Sequence, residues 1–298
     1  MSQSFETAVA RLNNIETIKP LLSAMRTLSM GAWHMALNKL SAMIPYEENF
    51  DRILFEVLRH LDVNEVTKNQ PINREPGQGK TIILIIGSER GLCGKYNTVL
   101  AENSTTWIES QNLANYQVWA IGSKLIRTLE GMKIAITQQT PVPTGGLLSY
   151  SESYITTQNW LDQYEAYAFD QFFIHYNEIK KGGLYDFATF HLLPYQSPQV
   201  STEADSIKSS WPPPIIESDP LRMYRQIIEH YVASSYYKIL LSSSAAENSS
   251  RYRLMQEAEE NAEEIIEELT FVINAERKRK ITQEMQELAA GSGLLNRQ

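Results

Sequence analysis

The chain has one cysteine, Cys93, in 298 residues, so it can form no internal disulfide and no metal site made of cysteines alone. Basic residues are outnumbered: 27 Lys and Arg against 35 Asp and Glu leave a formal net charge of -8. That balance argues against a general nucleic-acid binder, which must neutralise phosphates. No run approaches the ~20 apolar residues of a membrane span, and the N-terminus lacks the basic-then-apolar order of a secretory signal, so any membrane association is expected through partners. The five histidines, His34, His60, His175, His191 and His230, show no metal-ligand spacing. No G-x-S-x-G elbow frames a serine nucleophile. Neither a catalytic set, a cofactor site nor a metal site is expected.

What the chain does have is length and helical pattern. At 43% hydrophobic and 21% charged it can fold as one or two domains. Asp219 is a good helix N-cap and Pro220 suits the first helical position, where its missing N–H costs nothing. From there to Gly291 the residues Leu254, Ala258, Ala262, Ile265, Leu269 and Val272, then Ile281, Met285 and Leu288, recur at three-four spacing. This predicts a helix on the order of 100 Å long, more than one domain's core needs, and hence a protruding one. Gly291-Ser292-Gly293 would end it.

A second long helix is predicted from about Ser4 to His60, with a stripe at Leu12, Ile15, Leu22, Met25, Ala32, Ala36, Leu40 and Met43. Pro20 and Pro45 each remove an i to i−4 hydrogen bond, and a proline in a helix interior costs about 3 kcal/mol, so kinks or a break are expected there. Two narrow seams at opposite ends of the chain are most simply satisfied by an antiparallel coiled coil, with the middle as an insertion.

That middle has another texture. A polar linker, Asn64 to Lys80, precedes Thr81–Ile86, a short apolar run of the kind buried in a parallel sheet. Further strands are predicted at Gln117–Ile121, Lys133–Ile136, Ala168–Tyr176 and Phe187–Leu193, with helices at Tyr96–Gln111, Ser123–Glu130 and Ser149–Tyr164. Alternating strand and helix indicate a small α/β, Rossmann-like domain with a mainly parallel sheet. The fold expected is therefore a mixed one: a coiled coil of residues 1–62 and 219–293 with an α/β domain of residues 80–195 inserted. Ser197 to Pro214, rich in proline and serine, leads back to the long helix.

The turn Gly87-Ser88-Glu89-Arg90-Gly91-Leu92-Cys93-Gly94 joins strand to helix, the setting of a phosphate site. Its glycines match neither the dinucleotide nor the P-loop spacing, so the favoured reading is a tight structural turn at Gly91 and Gly94. The acids Glu257, Glu259, Glu260, Glu263, Glu264, Glu267 and Glu268 crowd one helix and read as a solvated face. Arg277 to Lys280 form a basic cluster just after them, suited either to solvent or to a charged partner.

Three blocks in this order resemble one family. They are Lys19, Ala24-Met25-Arg26 and Pro45-Tyr46-Glu47; Ser88 to Gly94 with Asn97; and Asn274, Arg277, Ile281-Thr282-Gln283-Glu284 and Gly291. Over nearly its whole length the chain is similar to the γ subunits of F-type ATP synthases, the central rotor shafts, as a divergent member without the chloroplast redox insertion. Lys278 stands where the family has glutamine, and Pro214 and Ile216 where it has an aromatic pair. With Cys93 alone, thiol switching is not expected.

The resemblance implies a non-catalytic shaft that couples ion flow, such as hydrogen ion transport, to conformational cycling of the β subunits, where ATP synthesis takes place. Its implied partners are the α and β subunits of the hexamer, the ε subunit and the c-ring, with no homo-oligomer. Met25, Arg26, Arg277, Lys278, Thr282, Gln283 and Glu284 would face the hexamer; Ile216 and Glu217 would lie toward the c-ring and ε. The implied location is the cytoplasmic or stromal face of an energy-transducing membrane. Two other functions stay open at this point: a γ-like paralogue that regulates or assembles a synthase, and a small-molecule enzyme using the α/β domain.

Overall fold

A run of six residues with no polar face to turn to solvent belongs inside a sheet. In the computed structural model, which describes residues 3–58, 79–140, 149–195 and 218–291, Thr81–Ile86 is β1, buried at every position. It is the middle of a five-stranded sheet with β2 (Tyr116–Ile121), β3 (Ile136–Thr140), β4 (Gln171–Ile179) and β5 (Tyr185–Leu193), in the order β3-β2-β1-β4-β5. All neighbours are parallel except β4 and β5, which form an antiparallel pair.

Alternate residues of β1 feed two cores. Ile83 and Ile85 pack under α2 (Tyr96–Ser110) and α3 (Ser123–Gly131), with Leu100, Leu125 and Leu129. Ile82, Leu84 and Ile86 face α4 (Tyr150–Glu165) and the early part of α5 (Pro220–Gly291), through Trp160, Val232, Tyr236 and Ile239. The period-two alternation of a strand thus clothes both faces of the sheet with helices.

Helix starts follow their sequence signals. Ser149 caps α4 in a reciprocal capping box with Glu152. Asp219 Oδ2 accepts from the Arg222 N–H at 3.3 Å, with Pro220 as the first helical residue.

Helix stops differ from expectation. The strand expected at Lys133–Ile136 lies at Ile136–Thr140, because the preceding residues finish α3 instead. Lys133 adopts a left-handed conformation (φ 60°), its N–H reaches Glu130 O at 2.9 Å, and the Ile134 N–H reaches Leu129 O at 3.0 Å. Tyr167 (φ 56°) ends α4 in the same way, with the Ala168 N–H on Gln163 O, which delays β4 from the expected Ala168 to Gln171. Glycine is the usual residue for such stops, and its absence hid both boundaries.

The chain divides into two compact units, residues 1–29 with 251–298, and residues 30–250. Helices α1 (Gln3–Leu58) and α5 each contribute to both. The break considered at Pro20 and Pro45 does not occur, as α1 is helical through both. Each proline, and the residue four before it, Glu16 or Ser41, is exposed, so water can satisfy the carbonyl that loses its donor. Most of the linker before β1, the connection at 197–214 and Ser292-Gly293 lie outside the described residues.

Candidate functional site

In the unit of residues 1–29 and 251–298, α1 and α5 pair as an antiparallel coiled coil. Lys19 Nζ lies 2.7 Å from Glu263 Oε1, and Arg26 Nη1 lies 3.1 Å from Glu259 Oε2, so the pairs advance along one helix and retreat along the other. The Lys19 ammonium holds the Glu263 carboxyl below the usual carboxylate range. On α1 the stripe expected from sequence is the covered face in this unit, with Leu12, Ile15, Leu22 and Met25 all at least partly buried.

On α5 the seam is narrower than expected and partly different. Met255, Ala262 and Ile273 are its buried positions, whereas Val272, placed in the seam from sequence, is 47% exposed. Met255, Ala262, Leu269 and Glu276 are spaced by sevens, and continuing the series gives Gln283. The seam therefore turns polar. Ile281, Met285 and Leu288, also expected in it, occupy another face and are 51%, 66% and 73% exposed. Counting back from the Lys19–Glu263 pair, the first described residue of α1, Gln3, falls level with about residue 279, so past that point no described residue of α1 lies beside α5.

The residues expected to contact partners fall into three groups. Arg277, Lys278, Thr282, Gln283 and Glu284 lie together on the last turns of α5, all exposed. Thr282 Oγ1 donates to Lys278 O at 3.0 Å, Gln283 Nε2 donates to Glu287 Oε1 at 2.9 Å, and Lys280 Nζ is 3.7 Å from Glu284. Arg277 has no ion pair among the described residues. Met25 is half-buried and Arg26 is engaged with Glu259, an internal role that the sequence did not reveal. Ile216 and Glu217 lie outside the described residues.

The glycine turn of the other unit is filled by its own side chains. Asn97 Oδ1 accepts the Ser88 N–H at 3.0 Å, and Asn97 Nδ2 donates to Ser88 Oγ at 2.7 Å. The start of α3, where a phosphate would gain most, is taken by the Glu89 carboxylate, which accepts from Ser123 N–H at 2.9 Å and Ser123 Oγ at 2.5 Å. Gly94 has φ 59° and open space around it, while a Cβ at Gly91 would meet nothing nearer than Lys124 Cε at 3.5 Å. The tight positions are Gly87 and Gly122, the second of which sequence reasoning passed over. Cβ atoms there would lie 2.5 Å from Leu125 Cβ and 2.6 Å from Gly87 O.

Other groups offer little chemistry. Among the described residues no three His, Cys, Asp or Glu side chains gather to hold a metal, and no helix is long and apolar enough to cross a membrane. A groove of about 740 Å³ between α4 and the start of α5 is lined by Tyr164, Tyr167, Tyr195 and Tyr224, with Arg225 3.6 Å from Glu165. Burial raises the Tyr164 hydroxyl to about 12, so it is no base at neutral pH. His175, fully buried between Trp107 and Phe187, is pushed down to about 3 by desolvation, and neither ring nitrogen has a hydrogen-bond partner among the described residues.

Comparison with known proteins places this architecture. A sequence model described as ATP synthase matches residues 4–295. The ATP synthase gamma chain of Geotalea uraniireducens is 24% identical over 291 residues, 97% of this chain and 98% of that one. The gamma chain of Dictyoglomus turgidum is 27% identical over 280 residues, 94% of this chain and 93% of its own. Among solved structures, the fold is similar to a chain of the Tetrahymena thermophila mitochondrial ATP synthase central stalk and c-ring (TM-score 0.57, 18% identity, 80% of this chain and 99% of that one). It is also similar to a chain of the Euglena gracilis mitochondrial ATP synthase rotor (TM-score 0.60, 12% identity, 94% and 100%).

Proposed function

The chain belongs to the ATP synthase gamma-chain family, and on that premise we propose that it is the central-stalk rotor subunit of a rotary F-type ATP synthase or ATPase. Its task is to couple ion flow through a membrane c-ring to the conformational cycle of catalytic β subunits, as a non-catalytic part of the complex. The angle of such a shaft acts as an effector: different contacts with each β conformation set each site's population and nucleotide affinity.

The observation that carries this reading is the end of α5. Past about residue 279, level with the first described residue of α1, the helix presents Ile281, Met285 and Leu288 to solvent on a face rotated from the seam, just after the basic run Arg277 to Lys280. A helix keeps such a face for another surface. Here that surface is the inside of an α/β hexamer, met by Met25, Arg26, Arg277, Lys278, Thr282, Gln283 and Glu284. Ile216 and Glu217 are assigned to contacts with the c-ring and ε subunit, as the family resemblance implies. The division of labour follows the domain limits 1–62, 80–195 and 219–293. The chain is peripheral, held through its partners, on the cytoplasmic or stromal face of the membrane.

Purification of the tagged chain from its native cell in mild detergent tests the reading. Recovery of α, β, ε and c subunits with ATPase activity is expected. Recovery of the chain alone, or with one synthase subunit and no activity, would overturn it.

A further inference from the structure

Within residues 30–250, α5 meets the sheet domain in two chemically different ways. At Val232, Tyr236, Ile239 and Leu240 the contact is apolar. Apolar packing is non-directional, so it holds the helix close without fixing its rotation. From Ser242 to Ser250, the next two turns, the contact becomes polar and specific.

Four serines of α5 make that second contact. Ser242 Oγ accepts from the Ile179 N–H at the end of β4, at 3.1 Å. The buried Tyr96 hydroxyl, at the start of α2, donates to Ser243 O at 3.0 Å, with Ser243 Oγ at the same distance. Ser249 Oγ donates to Gly183 O at 2.5 Å, and Ser250 Oγ donates to Cys93 O at 3.0 Å. The fully buried Ala245 and Ala246 between them allow the close approach. Gly183 is held at φ 74°, where a Cβ would come within 2.6 Å of Ser249 Oγ. Hydrogen bonds to backbone groups fix both distance and angle. Because these four reach β4, the β4–β5 turn, the glycine turn and α2, the helix cannot roll or slide on the domain without breaking several of them together.

Resting on the rotor reading, we propose that Tyr96, Ser242, Ser243, Ser249 and Ser250 form a torque clasp: positioning residues that lock the rotational angle of α5 on the sheet domain, so that rotation is passed between them without slip. The apolar contact supplies adhesion. The polar one supplies registry.

The test uses the complete membrane-bound complex carrying Tyr96→Phe, Ser243→Ala and Ser250→Ala together, with ATP hydrolysis and ATP-driven ion pumping measured in parallel. Hydrolysis should be kept, while ions moved per ATP fall about twofold and the torsional stiffness of the shaft falls with them, as directional bonds are lost and packing is retained. Ser250→Thr, which keeps the hydroxyl, should pump like wild type. Thr157→Val serves as the control for a merely structural effect, because its buried hydroxyl bonds only within α4. Unchanged pumping in the triple variant, or an equal loss in Thr157→Val, overturns the clasp. If the triple variant does not assemble, Tyr96→Phe alone, whose ring stays packed on Tyr185 at 5.3 Å, decides by the same comparison. A wild-type complex without coupled pumping would instead sink the rotor reading.

Discussion

Arg26 Nη1 lies 3.1 Å from Glu259 Oε2, and the two side chains are 36% and 14% exposed. The carboxylate is therefore largely withdrawn from water and depends on its partner. Arg26→Ala should destabilise the helix pair by about 1 kcal/mol, between the values usual for exposed and buried pairs. Lys19→Ala should cost less, since Glu263 is 54% exposed and water replaces the lost ammonium. Thermal unfolding followed by circular dichroism checks the order, and equal effects would show that Arg26 contributes no more than a surface charge.

Arg277 is exposed, with no ion pair among the described residues, and under the rotor role proposed above it would pair with a carboxylate on β and resist rotation at one dwell angle. In the assembled complex Arg277→Ala should change the ATPase rate or its coupling by about tenfold, the worth of one charge-assisted hydrogen bond. The helicity of the isolated chain should not change. An unaltered rate with intact assembly would remove Arg277 from the contact.

His175 makes stability depend on pH. Burial lowers its folded pKa to about 3, while an unfolded histidine titrates near 6.5. Between those values the unfolded state binds the extra proton. Stability is thus fully present above about pH 6.5 and is lost as pH falls toward 3, by up to a few kcal/mol. His175→Phe should flatten this slope, in a denaturation series at pH 7.5 and 5; an unchanged slope would assign the acid sensitivity elsewhere.

The glycines of the turn should separate by room rather than by motif. Gly122→Ala (φ 105°, Cβ 2.6 Å from Gly87 O) and Gly87→Ala should each cost roughly 2 kcal/mol or more, through overpacking and strain. Gly91→Ala should be close to neutral. Chemical denaturation of the three variants decides it.

The sequence by itself determined what depends on a few neighbouring residues. The branched apolar run of β1, the Asp219-Pro220 start of α5, the capped start of α4 and the covered stripe of α1 all follow from local propensity, capping and period. Only the folded structure decided what runs against local propensity or depends on a distant surface. Lys133 and Tyr167 enter a left-handed conformation that their side chains disfavour, held by hydrogen bonds to carbonyls of the helices they end. The seam of α5 selects Ile273 over Val272 because the facing ridge of α1, not hydrophobicity, chooses which of two adjacent apolar residues is covered. The serines of α5 read as unremarkable polar residues in sequence, and their partners lie between 63 and 157 residues away. A pattern records which residues can be buried, whereas registry and hydrogen-bond partners exist only once the chain has brought the two surfaces together.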